Sequence, residues 1–157
     1  MVIPYIYIRQ MDELIKDTHH WQNLKPPLAP NEHEVGIYEK YVRGRGPVCL
    51  LGMTKQLIHL CEYMVDLNPM PQKRPVVKSD WTDFNEMADA VMGDGVLNLA
   101  GMDLVPKILS RCDLLVCRVF MRRLEGMKYA THFPKDFPGS REVIITQPDV
   151  AIVVWGE

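Results

Sequence analysis

The 157-residue chain is 47% hydrophobic and 24% charged, with a formal net charge of -2. A length of this order fits one domain that buries about 70% of its unfolded surface, so neither disulfides nor a structural metal is required. The charge balance gives no pull toward nucleic acid or anionic membrane, and no apolar run reaches the ~20 residues that cross a bilayer.

Met1–Ile8 lacks a basic n-region and contains Pro4, so it reads as a short strand or packed arm, not a leader. Met11, Leu14, Ile15 and Trp21 have helical spacing over residues 11–24. His19, His20 and Trp21 on that helix are a solvated face or part of a lid. Pro26, Pro27 and Pro30 break the helix, because the residue before each proline is pushed out of the α region. Asn31 predicts an N-cap, with Glu32 and Glu34 in a first turn that suits acids. That helix carries Val35, Tyr38, Tyr41 and Val42 and stops near Gly44-Arg45-Gly46. Residues 1–44 are thus expected to form an N-terminal helical cap on an α/β core over 47–157, within a single domain.

From Pro47 the chain alternates. Strands are predicted at Val48–Leu51, Tyr63–Asp66, Val76–Lys78, Ala90–Met92 and Leu114–Phe120. Helical segments are predicted at Lys55–Cys61, Asp83–Ala88 and Leu104–Ser110. Apolar runs with little alternation mark strands buried on both faces, and their interleaving with helices predicts βαβ units and a parallel sheet. Met121–Ser140 is polar and irregular. Arg141–Thr146 and Val150–Trp155, joined by Gln147-Pro148-Asp149, then predict an antiparallel hairpin.

Cys49, Cys61, Cys112 and Cys117 lie in or beside apolar segments and form no C-x-x-C pair, which predicts reduced core thiols in a cytoplasmic protein. Neighbouring helical side chains diverge, so His19-His20 is a poor chelate, and no metal site is expected.

Gly52, at the end of the first strand, lets a ligand approach the backbone. Asp66, at the tip of the second and expected to be exposed, can accept hydrogen bonds from the two hydroxyls of a ribose. Together they outline a nucleoside pocket at the carboxyl ends of parallel strands. Trp81 either stacks on a purine or fills the core. Asp94, between Gly93 and Gly95, either faces a ligand or caps a turn, and Asn98 is a weaker candidate of the same kind. Arg118, Arg122 and Arg123 form a small basic cluster, read as a solvated face or, alternatively, as a contact for an acidic substrate.

Over residues 30–157 this order of elements resembles the class I S-adenosylmethionine-dependent methyltransferases. Val48-Cys49-Leu50-Leu51-Gly52-Met53-Thr54 resembles a degenerate first motif, with the acid and second glycine missing. Asp66-Leu67-Asn68-Pro69 resembles the acid after the second strand. Ser79-Asp80-Trp81 resembles the adenine-facing pair, and Gly93-Asp94-Gly95-Val96-Leu97-Asn98 the motif after the fourth strand. The Asn/Asp-Pro-Pro-Tyr motif of amino-group methyltransferases is absent, and the chain after Phe120 is short for the usual substrate-binding insertions.

The resemblance implies a three-layer, Rossmann-like α/β/α sheet, mostly parallel, with a C-terminal antiparallel hairpin. It implies S-adenosylmethionine as cofactor, held by Gly52, Met53, Thr54, Asp66, Leu67, Asp80, Trp81, Asp94 and Gly95. It also implies a small or unidentified methyl acceptor. In-line methyl transfer rests on positioning, so no catalytic base need stand out. The alternative is a non-enzymatic relative that kept the fold as an interaction module. A dinucleotide-binding domain fits less well, since its pyrophosphate needs a closer-packed glycine turn.

Overall fold

The computed structural model of the chain describes residues 29–121 and 137–157. The helix expected over 11–24, with His19, His20 and Trp21, lies outside the described residues, as do Arg122 and Arg123. Helix α1 (Glu32–Val42) begins at the expected cap: Asn31 Oδ1 accepts from Glu34 N at 2.8 Å, and Asn31 N donates to Glu34 Oε1 at 3.0 Å. This reciprocal capping box satisfies two amides that the helix end would otherwise leave open.

The described strands are β1 (Val48–Leu51), β2 (Tyr63–Asp66), β3 (Val76–Lys78), β4 (Ala90–Asp94), β5 (Leu114–Phe120), β6 (Glu142–Gln147) and β7 (Val150–Gly156). They form one sheet in the order β3-β2-β1-β4-β5-β7-β6. The first five are parallel, and β7 runs antiparallel to both β5 and β6. The expected hairpin is present and supplies the last two positions. Between β1 and β4 the connections turn to opposite edges of the sheet, which makes this gap a topological switch point.

Side chains alternate between the two faces. Leu50, Met64, Met92 and Val116 pack with Tyr38, Val42 and Leu57 on the α1 face. Cys49, Leu51, Val65 and Leu115 pack on the other with Trp81, Phe84 and two short helices, α2 (Val96–Ala100) and α3 (Leu104–Leu109). The result is a three-layer α/β/α arrangement.

Two local expectations change. The segment after β1 is a 3₁₀ helix, Lys55–Leu60. The helical turn expected over Asp83–Ala88 lies earlier, as a 3₁₀ turn at Trp81–Asp83. There Asp80 Oδ1 accepts from Thr82 N at 2.9 Å and starts the turn, and Phe84 leaves it with an extended ψ of 121°. No described helix is long and apolar enough to cross a membrane.

Candidate functional site

Parallel register places the strand-end residues in one row. Asp66 pairs with Lys78, and Asp94 pairs with Arg118. Leu51 pairs with Val65 on one side and Gly93 on the other, so Gly52 follows level with Asp66 and Asp94. Asp66, Asp94 and Arg118 each lie two residues beyond a side chain of the α1 face, and therefore point to that face. Three adjacent strands thus bring Asp66, Gly52 and Asp94 together at the carboxyl edge of the switch point.

Gly52 adopts φ 89°, a left-handed value that glycine takes without strain, and its N–H donates to Val65 O at 2.7 Å. Met53 and Thr54 follow it and are buried, while Leu67 is half-buried. Asp66 is fully buried, which corrects the expectation of an exposed strand tip. Gly95 begins α2 in the left-handed region. Asp80 is partly exposed, and its Oδ1 also accepts from Thr82 Oγ1 at 2.9 Å.

Trp81 shares the carboxyl edge but lies under the opposite face of the sheet. It is 1% exposed, and its Nε1 donates to Val65 O at 3.0 Å. Its indole is part of the core on that face. Asn98 is occupied by the fold, donating to Phe120 O at 2.8 Å and accepting from Phe120 N at 3.0 Å.

The largest departure from the sequence reading is Arg118. Far from a solvated face, its side chain is fully buried on β5 and reaches two carboxylates. Nε donates to Asp94 Oδ1 at 2.8 Å, and Nη1 donates to Glu34 Oε1 at 2.7 Å. Glu34 also receives Thr146 Oγ1 at 2.7 Å and Gln147 Nε2 at 3.2 Å. The buried Tyr38 hydroxyl bridges the same two strands, accepting from Arg118 N at 2.8 Å and donating to Gly93 O at 2.6 Å. Glu34, Tyr38 and Arg118 were absent from the sequence-based site. The α1 spacing of Glu34 and Tyr38, one turn apart, was the signal that put both on the sheet-facing side.

Burial raises the Asp94 carboxyl above its ordinary range and Glu34 adds to the effect, while Arg118 opposes it. Burial would also raise Glu34, but the Asn31 N–H, the Arg118 charge and the Thr146 hydroxyl prevail and lower it. Arg118 is held protonated more firmly than usual. Its burial works the other way, but Asp94 and Glu34 outweigh it.

Among the described residues, two buried oxygens in this region, Thr54 Oγ1 and Asp94 Oδ2, have no hydrogen-bond partner. Buried polar atoms left in this state are costly, so each suits a ligand that brings a donor. A separate open groove of about 480 Å³, lined by Pro30, Val35, Lys55 and His59 among others, contains none of the expected site residues. No described cluster of three His, Cys, Asp or Glu could hold a metal.

Among solved structures, the chain is similar to the magnesium protoporphyrin IX methyltransferase ChlM from Synechocystis PCC 6803, determined with bound SAM. The TM-score is 0.53 at 15% identity, over 76% of this chain and 74% of that one. The fold is that of the class I S-adenosylmethionine-dependent methyltransferases. The chain is also similar, at a TM-score of 0.40 and 14% identity over 54% of this chain and 44% of that one, to the plantazolicin methyltransferase BpumL in complex with SAH. No family model matches the chain, and no curated protein matches it.

Proposed function

We propose that the chain binds S-adenosylmethionine at the carboxyl edge of β2, β1 and β4 and transfers its methyl group to a small acceptor. The observation that carries this reading is the register row Asp66–Gly52–Asp94 across the switch point, where open α/β sheets take their ligands. The unpartnered Thr54 Oγ1 and Asp94 Oδ2 suit a ligand rich in hydroxyl and ammonium donors.

In this reading Asp66 receives the ribose hydroxyls, with Leu67 beside it. Gly52, Met53 and Thr54 border the ligand where β1 ends, and Gly95 does so where β4 ends. Asp94 Oδ2 takes the ammonium of the methionine moiety. Asp80 flanks the adenine end, and Trp81 supports that end from beneath the sheet. When bound, the sulfonium supplies an electrophilic methyl group. The chain's own residues then hold donor and acceptor in line and exclude water.

One observation favours the non-enzymatic alternative. After β1 the expected glycine-rich turn and helix are reduced to Gly52 and a six-residue 3₁₀ segment. Calorimetric titration of the full chain with S-adenosylmethionine and S-adenosylhomocysteine decides between them. Micromolar binding of both supports the methyltransferase reading. Absence of binding at millimolar ligand overturns it and leaves the interaction module.

A further inference from the structure

Glu34, Arg118 and Asp94 form a buried chain whose charge does not balance. Among the described residues, two carboxylates face one guanidinium, and all three side chains are sealed from solvent. Burial makes an uncompensated charge costly. Glu34 is saturated, with donors from Asn31, Arg118, Thr146 and Gln147. Asp94 is not, because Arg118 occupies Oδ1 while Oδ2 has no hydrogen-bond partner. The second carboxylate is therefore neutralised at Asp94, by a proton in the ligand-free protein or by a cation at Oδ2, at the carboxyl end of β4.

We infer that Glu34 and Arg118 are positioning residues that hold Asp94 as a receptor for a cationic group, and that docking of the cation releases a proton from Asp94 to solvent. The identity of the cation, an ammonium of S-adenosylmethionine, rests on the functional reading above. The arrangement itself rests on the geometry. A forked guanidinium addresses the two carboxylates from two separate nitrogens held in one rigid plane.

The groups facing Asp94 are Glu34 and Tyr38 from α1 and Arg118 from β5, while Cys117 of β5 feels its charge from the opposite face of the sheet. Burial pushes the Tyr38 phenol and the Cys117 thiol upward, so both keep their protons and the exchangeable one belongs to Asp94. A cation at Oδ2 favours the ionised carboxylate. Affinity is therefore greatest where free Asp94 is already ionised, and falls as the pH drops through its titration.

The test uses the full chain as wild type, Glu34→Gln and Arg118→Lys, each checked for folding by its thermal melt. S-Adenosylmethionine is titrated calorimetrically from mildly acid to mildly alkaline pH, in two buffers of different ionisation enthalpy. Wild type should release protons on binding at the acid end. Glu34→Gln removes one anion but keeps an acceptor for Arg118, so its affinity profile should move to lower pH. Arg118→Lys keeps the charge but donates from one nitrogen in place of Nε and Nη1, and should bind at least about tenfold more weakly.

Carbon-13 NMR of the Asp94 carboxyl in ligand-free protein gives a second readout, and Glu34→Gln should lower the pH at which it titrates. A folded Arg118→Lys that binds as wild type, or an Asp94 titration unmoved by Glu34→Gln, overturns the inference. If wild type binds neither S-adenosylmethionine nor S-adenosylhomocysteine, the functional reading falls, and with it the ammonium as the cation. The Asp94 titration then decides the positioning role by itself.

Discussion

Asp94 and Arg118 stand opposite each other on β4 and β5, with the guanidinium Nε 2.8 Å from the carboxylate Oδ1 and both side chains sealed from solvent. Arg118 also reaches Glu34, so the same side chain fastens α1 to the sheet at the edge where the candidate site lies. Stability and site geometry therefore depend on one set of bonds.

Arg118→Leu leaves two buried carboxylates without their cation. Breaking a buried pair in this way costs about 3–5 kcal/mol, far more than loss of an exposed one. Urea denaturation should show that loss, with part of it recovered in the triple variant Glu34→Gln, Arg118→Leu, Asp94→Asn. A loss below about 1 kcal/mol would place Arg118 at the surface.

Gly93→Ala is expected to destabilise by about 1–3 kcal/mol, the usual cost of overpacking. A Cβ at Gly93 would sit 2.5 Å from Val96 Cγ2, and a β-branched side chain on α2 has little freedom to yield. Pairing it with Val96→Ala should cost less than the two single losses combined. Strict additivity in chemical denaturation would show that the contact is not the cause.

Asp66→Asn keeps the shape of the side chain but removes its charge and one acceptor oxygen. Binding of S-adenosylmethionine should weaken by about 1.5–3 kcal/mol, the range for hydrogen bonds to a charged group. S-Adenosylhomocysteine carries the same ribose and should lose as much. Calorimetric affinities equal to wild type for both ligands would reduce Asp66 to a structural acid.

The pH dependence of stability has two opposing parts. The folded-state Asp94 carboxyl is raised above its unfolded value of about 3.9, so the native state holds that proton more tightly and loses relative stability as pH rises through the window between the two. Glu34 is lowered, so its contribution is complete above an unfolded value of about 4.3 and disappears as pH falls through its folded titration. Asp94→Asn should therefore gain on wild type, in the ligand-free state, as pH rises from acid to neutral. Melting curves in which wild type pulls ahead with rising pH would reverse the sign and refute this account.

Much of the architecture was legible along the chain because it follows from local pattern. Double-sided apolar runs marked β1, β2, β3, β4 and β5, the short Gln147-Pro148-Asp149 link marked the final hairpin, and Asn31 with Glu34 marked the start of α1. Gly52, Asp66 and Asp94 were also visible, because a residue at a strand's carboxyl end is identified by the strand itself. The 3₁₀ turn at Trp81–Asp83 was misplaced because the Asp80 side chain, rather than apolar periodicity, starts it.

Composition and spacing by themselves determined the parallel α/β class and the strand positions, and with them the sheet edge to which the proposal assigns a ligand. Tertiary structure alone decided what the charged and aromatic residues do there. It put Trp81 beneath the sheet, buried Asp66, and turned Arg118 from an expected surface cation into the centre of an ion chain. The physical reason is distance along the chain: Arg118 can be buried only with partners, and those partners, Asp94 and Glu34, stand 24 and 84 residues away. Local sequence records that Arg118 is charged, but only the folded sheet and its overlying helix bring it the carboxylates that allow burial.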